Sequence, residues 1–236
     1  MGKALSQWTV SPHSPLETLE PDLWRVEQPL TTMPLRRVMT VARRQDGGLV
    51  IHNGIALDEA SMRTLEAAGE PAFLLVPNGM HRQDARIFKD RYPRLRVVAP
   101  TRARPKVEEV VPVDLTYDEF PADGAVRLET MAGTDEREGL MVVTSSGGTT
   151  VVLNDAVFNM PHPPGLRGLV VRLMGSSGGP RVSRLARLGL VKDRAAFRDH
   201  LVRLASLPSL RRVIVSHHEV ISDDPAGTLR RVAATL

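Results

Sequence analysis

The chain has 236 residues, of which 42% are hydrophobic and 25% charged, with a formal net charge of +4. That balance suits a globular domain and excludes collagen-like or wholly disordered chains. Cysteine is absent, which excludes a disulfide scaffold, a thiol nucleophile and a thiolate metal site, so any metal must use His, Asp or Glu. Aromatic residues make up only 4%, a poor supply for a base-stacking platform. No apolar run approaches the ~20 residues that cross a bilayer, and none of signal-peptide length follows Lys3. The expectation is a cytoplasmic protein with no membrane partner.

In chain order, residues 1–22 read as an N-terminal arm with three prolines and little periodicity, and residues 23–236 as a single domain. Leu23–Glu27 predicts a short strand. Arg37–Arg44 and Gly48–His52 predict a hairpin turning at Gln45-Asp46-Gly47-Gly48. Asp58 is an N-cap for a helix running to Ala68, with Gly69 as its stop. Ala72–Val76 is a continuous apolar run and predicts a buried strand. After Pro77-Asn78-Gly79, His81–Tyr92 predicts a helix and Arg96–Ala99 a strand, which completes a βαβ unit. Short strands are expected near Glu109–Pro112 and Val126–Thr130, then a hairpin of Gly139–Thr144 and Thr149–Asn154. Met160–Gly165 reads as a Pro-rich loop, Leu169–Val171 as an apolar run of strand length at most, and Gly175–Pro180 as a Gly/Ser-rich mobile loop. Asp193–Leu207 predicts an amphipathic helix, Arg212–Val215 a strand and Pro225–Leu236 a last helix. Mixed strands and helices of this kind imply α/β layers around mixed sheets.

Charge is unevenly spread. Arg82–Lys106 and Arg167–Arg198 are basic, and the stretch from Glu108 to Glu138 is acidic. Such runs are most often solvated faces; Arg-mediated nucleic-acid association ranks as a lower alternative.

Five local motifs in this order resemble the metallo-β-lactamase superfamily. The first is Leu49-Val-Ile-His-Asn-Gly54, where the family ends a strand in Asp-Thr-Gly; Gly54 matches and His52 stands in the place of the Asp. The second is Leu75-Val-Pro-Asn-Gly-Met-His81, where the family carries His-x-His-x-Asp-His; Val76, Asn78 and Met80 replace the first three ligands and His81 remains. The third is Met131-Ala-Gly-Thr134, in place of Gly-His-Thr. The fourth is Leu153-Asn-Asp-Ala-Val-Phe158, whose Asp155 matches the bridging Asp. The fifth is Val213-Ile-Val-Ser-His217, whose His217 matches the last ligand. The resemblance covers about residue 23 to the C-terminus and implies a four-layer αββα sandwich with its site at one edge.

The same resemblance implies that the first metal site, which would need Val76, Asn78, Ala132 or Gly133, and Asp155, has kept only its bridging Asp. The second would need Met80, His81, Asp155 and His217 and keeps three of four; a Met thioether suits softer metals than a His/Asp set does. This argues against a dinuclear hydrolase and for a degenerate branch of unknown function, and Pro77-Asn78-Gly79-Met80-His81 fits the Pro-Asn-x-x-His pattern of one such branch. The leading expectation is a protein without bound metal that binds a small molecule or a protein partner at the remnant rim. Candidates for that rim are His52, Asn78, Met80, Asn154, His162 and His218. The alternative is a hydrolase with one Zn or Fe ion on His81, Asp155 and His217. His13 and His200 are expected to be incidental. A homodimer is a base-rate expectation only.

Overall fold

The structure is a computed structural model that describes residues 4–30, 35–173 and 175–236, the side chain of Arg167 excepted. Thirteen strands are described: β1 (Glu17–Glu20), β2 (Leu23–Pro29), β3 (Arg36–Arg43), β4 (Leu49–His52), β5 (Pro71–Leu75), β6 (Arg96–Ala99), β7 (Leu115–Thr116), β8 (Val126–Thr130), β9 (Gly139–Ser145), β10 (Gly148–Leu153), β11 (Phe158–Met160), β12 (Gly179–Arg181) and β13 (Leu210–Val215). The helices are α1 (Glu59–Ala68), α2 (Ala85–Arg91), α3 (Arg104–Glu108), α4 (Gly165–Leu173), α5 (Arg194–Leu204) and α6 (Pro225–Ala233), with a π-helical turn at Ala186–Leu190. A seven-stranded sheet runs β1-β2-β3-β4-β5-β6-β7, a four-stranded sheet runs β13-β10-β9-β8, and β11 pairs with β12.

Strand side chains alternate faces with a period of two, and that alternation builds the layers. On the large sheet, Met39, Val41, Leu49, Ile51, Leu74 and Val97 face α1 and α2, where they pack with Met62, Leu65 and Phe88. Their neighbours Val38, Ala42, Val50, Phe73, Leu75 and Val98 face the second sheet and meet Met141, Val143, Val152 and Ile214. On the second sheet, Leu140, Val142, Val151, Leu153, Val213 and Val215 turn outward against Phe197, Leu201 and Leu229 of α5 and α6. The result is the expected helix–sheet–sheet–helix sandwich.

Several local expectations change. The N-terminal arm supplies an edge strand, β1, paired antiparallel with β2, and Trp8 Nε1 donates to Leu57 O at 3.0 Å. No strand forms at Glu109–Pro112, because Val107 and Val111, four residues apart, both point into the core from α3 and the turn after it. The helix expected from His81 begins only at Ala85. Ahead of it, Asn78 Oδ1 accepts the backbone N–H of Met80 (2.8 Å) and of His81 (3.2 Å), which holds a turn instead. The apolar run Leu169–Val171 is part of a helix, α4, and the Gly/Ser-rich loop closes through β12 onto β11.

Candidate metal centre

The parallel strands β4 and β5 of one sheet and β10 and β13 of the other end at the same edge. Backbone bonds join the sheets there: Val38 N–H donates to Ser216 O (2.9 Å) and Gly139 N–H to Pro77 O (2.8 Å). The loops leaving these strands carry His81, Asp155 and His217. One oxygen, Asp155 Oδ1, lies 3.1 Å from His81 Nε2 and 3.0 Å from His217 Nε2. The three potential ligand atoms all lie within 4.8 Å of one another. Atoms bound to a single Zn or Fe ion at about 2.1 Å stand about 3–3.5 Å apart, and the two distances from Asp155 Oδ1 to the imidazoles fall in that range.

The far side of each ring is held from behind. His217 Nδ1 lies 2.8 Å from Arg36 O; a carbonyl only accepts, so Nδ1 carries the proton. His81 Nδ1 lies 3.0 Å from Asn53 Oδ1. Asn53 sits in a left-handed turn (φ 56°) and donates its amide N–H to Val38 O at 2.8 Å, which turns its oxygen toward the ring. His81 Nδ1 is then also the donor. In the neutral state both Nε2 lone pairs face a carboxylate oxygen, an arrangement that calls for a cation between them, either a proton or a metal. Phe158 stacks on His217, with ring centroids 5.0 Å apart and planes 10° from parallel.

The titration behaviour follows the same logic. Burial pushes Asp155 up, and the two imidazoles beside it more than offset that, so its carboxyl lies well below the usual range. Burial lowers His217, while its bond to Asp155 raises it further, and the net direction is upward.

Asp155 Oδ2 faces something else. Asn78 Nδ2 donates to it at 2.8 Å and to Glu138 Oε2 at 2.9 Å. Glu138 is buried and also receives Asn154 Nδ2 (3.3 Å) and Ala156 N–H (2.8 Å). Burial first, and the charge of Asp155 second, push Glu138 up to about 8. Asn154 Oδ1, on the far side of that amide, has no hydrogen-bond partner among the described residues.

The remaining candidates are placed as follows. Asn78 lies at the site, but both its N–H groups and its oxygen are engaged, so it has no donor left for a bound molecule. Met80 sends its side chain to solvent and shares only its backbone N–H with the cluster. Asn154 is fully buried beneath the cluster. His52 lies below the rim, fully buried on the inter-sheet face with Val50, and both its ring nitrogens lack partners. Burial first, then the neighbouring His81, lower it to about 3, so it stays neutral. His162 bonds Ser177 Oγ at 2.9 Å rather than any member of the cluster. His218 adopts a left-handed backbone (φ 72°) and bridges to Asn159. His200 is structural: it accepts the N–H of Ala132 at 2.8 Å and meets Glu129 at 3.1 Å. Gly133, in the segment that resembles the family's Gly-His-Thr motif, has φ 76° and packs against the start of α5, where any Cβ would overlap Asp193 O.

Sequence reasoning passed over Glu138, Asn53, Arg36 and the buried pair of Arg37 with Asp84. Arg37 grips both Asp84 oxygens (2.9 and 2.8 Å), and Asp84 also accepts Ala56 N–H, which fixes the segment carrying His81. Asn53 lies in Asn-Gly, a turn signal that marks its left-handed conformation. The others carry no local mark.

No protein-family model matches the chain, and no curated protein matches it. Solved structures do. DIM-1 metallo-β-lactamase exposed to ceftazidime superposes with a TM-score of 0.62 at 12% identity, over 96% of this chain and 99% of that one. The mono-zinc form of FIM-1 metallo-β-lactamase from Pseudomonas aeruginosa gives 0.59 at 8% identity, over 96% of each chain. A metallo-β-lactamase from Erythrobacter litoralis gives 0.60 at 13% identity, over 94% of this chain and 96% of that one. Two face-to-face sheets with helices outside, a ligand cluster at their shared edge, and similarity along nearly the whole chain lead to one conclusion: this protein has the metallo-β-lactamase fold.

Proposed function

We propose that this protein holds one divalent metal ion, Zn or Fe, on His81, Asp155 and His217, and hydrolyses an ester, amide or phosphoester bond there. The observation that carries the reading is the orientation of the two imidazoles. Asn53 and Arg36 fix both Nδ1 protons, so both Nε2 lone pairs converge on one carboxylate oxygen. A bound ion of this kind supplies Lewis acidity and a water of lowered pKa. Asn78 occupies Asp155 Oδ2 and leaves Oδ1 as the oxygen that would hold an ion. Phe158 covers one face of His217 and excludes water from it. The Asp155 side chain retains 19% exposure, which leaves the cluster open to substrate. The mono-zinc form of a structural relative supports one-metal occupancy in this fold. A second metal has no ligand set: Val76 is apolar, and Asn78 is committed to two carboxylates. On this reading the chain is a degenerate one-site member of its superfamily.

One observation favours a second reading, that of a metal-free protein binding a ligand at the rim: with both imidazoles protonated, Asp155 is satisfied by three donors and needs no ion. Elemental analysis separates the two. Protein purified without chelator or metal-binding tag should carry about one equivalent of Zn or Fe and should cleave activated carboxylic or phosphoric esters, and the His81→Ala/His217→Ala double variant should lose both. Metal-free protein that takes up no Zn on titration at neutral pH would return the reading to ligand binding alone.

A further inference from the structure

We propose that the surface formed by α4 and the π-helical turn docks the protein on an anionic lipid bilayer. The proposal is independent of the metal site. Between Asp155 and Asp193 there is no acidic residue, while Arg167, Arg172, Arg181, Arg184, Arg187 and Lys192 supply six cations. The other basic stretch behaves differently. From Arg82 to Lys106 every cation except Arg96 lies within 4 Å of a carboxylate, and Arg96 rests over the Phe73 ring. Among the described residues, Arg172, Arg181, Arg184, Arg187 and Lys192 have no carboxylate partner. Arg184 and Arg187 bond only Leu173 O and Thr235 Oγ1.

The same segment presents its apolar residues outward. Leu166, Leu169, Val170 and Leu173 follow i, i+3, i+4, i+7 spacing, which is one face of a helix, and that face is the solvent face: Leu166 is 83% exposed. The opposite face packs down through Val171 and through Gly168, where a Cβ would overlap Pro163 O. The Arg184 guanidinium ties the end of α4 to the start of the π-helical turn, which adds exposed Leu185 and Leu188, the latter 76% exposed. Six of the nine strongly exposed large apolar side chains among the described residues lie in this one segment.

A leucine stripe flanked by unpaired guanidiniums is complementary to acyl chains beneath phosphate headgroups. A second copy of the chain would bring the same positive charge to the contact, and a nucleic-acid backbone offers nothing to the leucines. The expectation of no membrane partner rests on spanning length. A helix of nine residues, about 13 Å long, lies on a bilayer rather than across it, and no helix of the described residues is long and apolar enough to span one.

Flotation of the full chain with vesicles tests this. Vesicles of phosphatidylcholine with about a third phosphatidylglycerol should bind at least about tenfold more tightly than pure phosphatidylcholine, and the difference should shrink as salt rises from about 0.1 to 1 M. Leu166→Asp/Leu169→Asp changes only exposed positions; it should keep the circular dichroism and melting temperature of the parent and lose vesicle binding. Arg172→Gln/Arg187→Gln should lose the preference for phosphatidylglycerol. No vesicle binding, or binding unchanged in the leucine variant, would overturn the proposal. So would a lipid-free dimer that the leucine variant turns into a monomer, because the stripe would then belong to a contact between copies.

Discussion

The two oxygens of Asp155 look out on different chemistry. Oδ1 meets two imidazole nitrogens whose protons are held on their far sides, a half of the site that is short of a cation. Oδ2 meets the Asn78 amide, which ties it to buried Glu138, a half that is complete as it stands. An N–H donor shared by two carboxylates does electrostatically what a small cation does between them. The two sides of one carboxylate therefore differ within a few ångströms. On one side the polar groups are closed by a hydrogen-bonded plug. On the other two imidazoles, held from behind, meet one oxygen.

The comparison breaks most severely at Asp155 itself, since it serves both halves. Asp155→Ala should abolish metal uptake. It should also cost about 2–3 kcal/mol in urea unfolding, toward the low end for broken ion pairs because the residue is partly exposed. Asn78→Ala removes only the plug. Two carboxylates then face each other without a shared donor, and about 2 kcal/mol of stability should be lost, with metal affinity falling about tenfold through the freed Oδ2. Equal metal affinity in Asn78→Ala and the parent would show that the two halves are not coupled.

Glu138 sharpens the comparison through pH. Its folded pKa is raised to about 8 from an ordinary 4.5. Between those values the folded chain holds a proton that the unfolded chain has released. Its contribution is fully present below about pH 4.5, is lost as pH rises toward about 8, and is flat above that. Urea midpoints should therefore fall with rising pH across this window, and Glu138→Gln should flatten that slope without removing metal. The smallest effect is expected at Asn53→Ala, which frees the far side of His81. Metal affinity, followed by calorimetric titration, should drop by about tenfold, with stability changed by about 1 kcal/mol.

Much of the candidate centre is legible in the sequence through the family resemblance. His81, Asp155 and His217 are the positions at which the chain still matches the motifs, taken in their order along the chain, and each lies in a segment that follows an apolar strand. What escaped notice has a common physical cause. Arg36 contributes a backbone carbonyl, which carries no residue identity. Glu138 is an acid in an acidic stretch, and only its burial among three N–H donors sets it apart. The outward stripe on α4 has the spacing of a core helix, and spacing does not say which way a face turns. His52 stood as a rim candidate, but the two-residue period of β4 sends it inward with Val50.

By itself the sequence determined the local periods: alternating strands, the Asp58-capped helix α1, the amphipathic helix α5, the break at Pro77-Asn78-Gly79, and a chain with no thiol chemistry. These rest on interactions between residues a few positions apart, which composition and spacing encode directly. Only the tertiary structure decided that imidazoles 74 and 62 residues from Asp155 meet on one of its oxygens, that the far nitrogen of each ring is held by an acceptor, and that one amphipathic helix faces water. Those outcomes depend on how two sheets are laid against each other, and no local pattern carries that information.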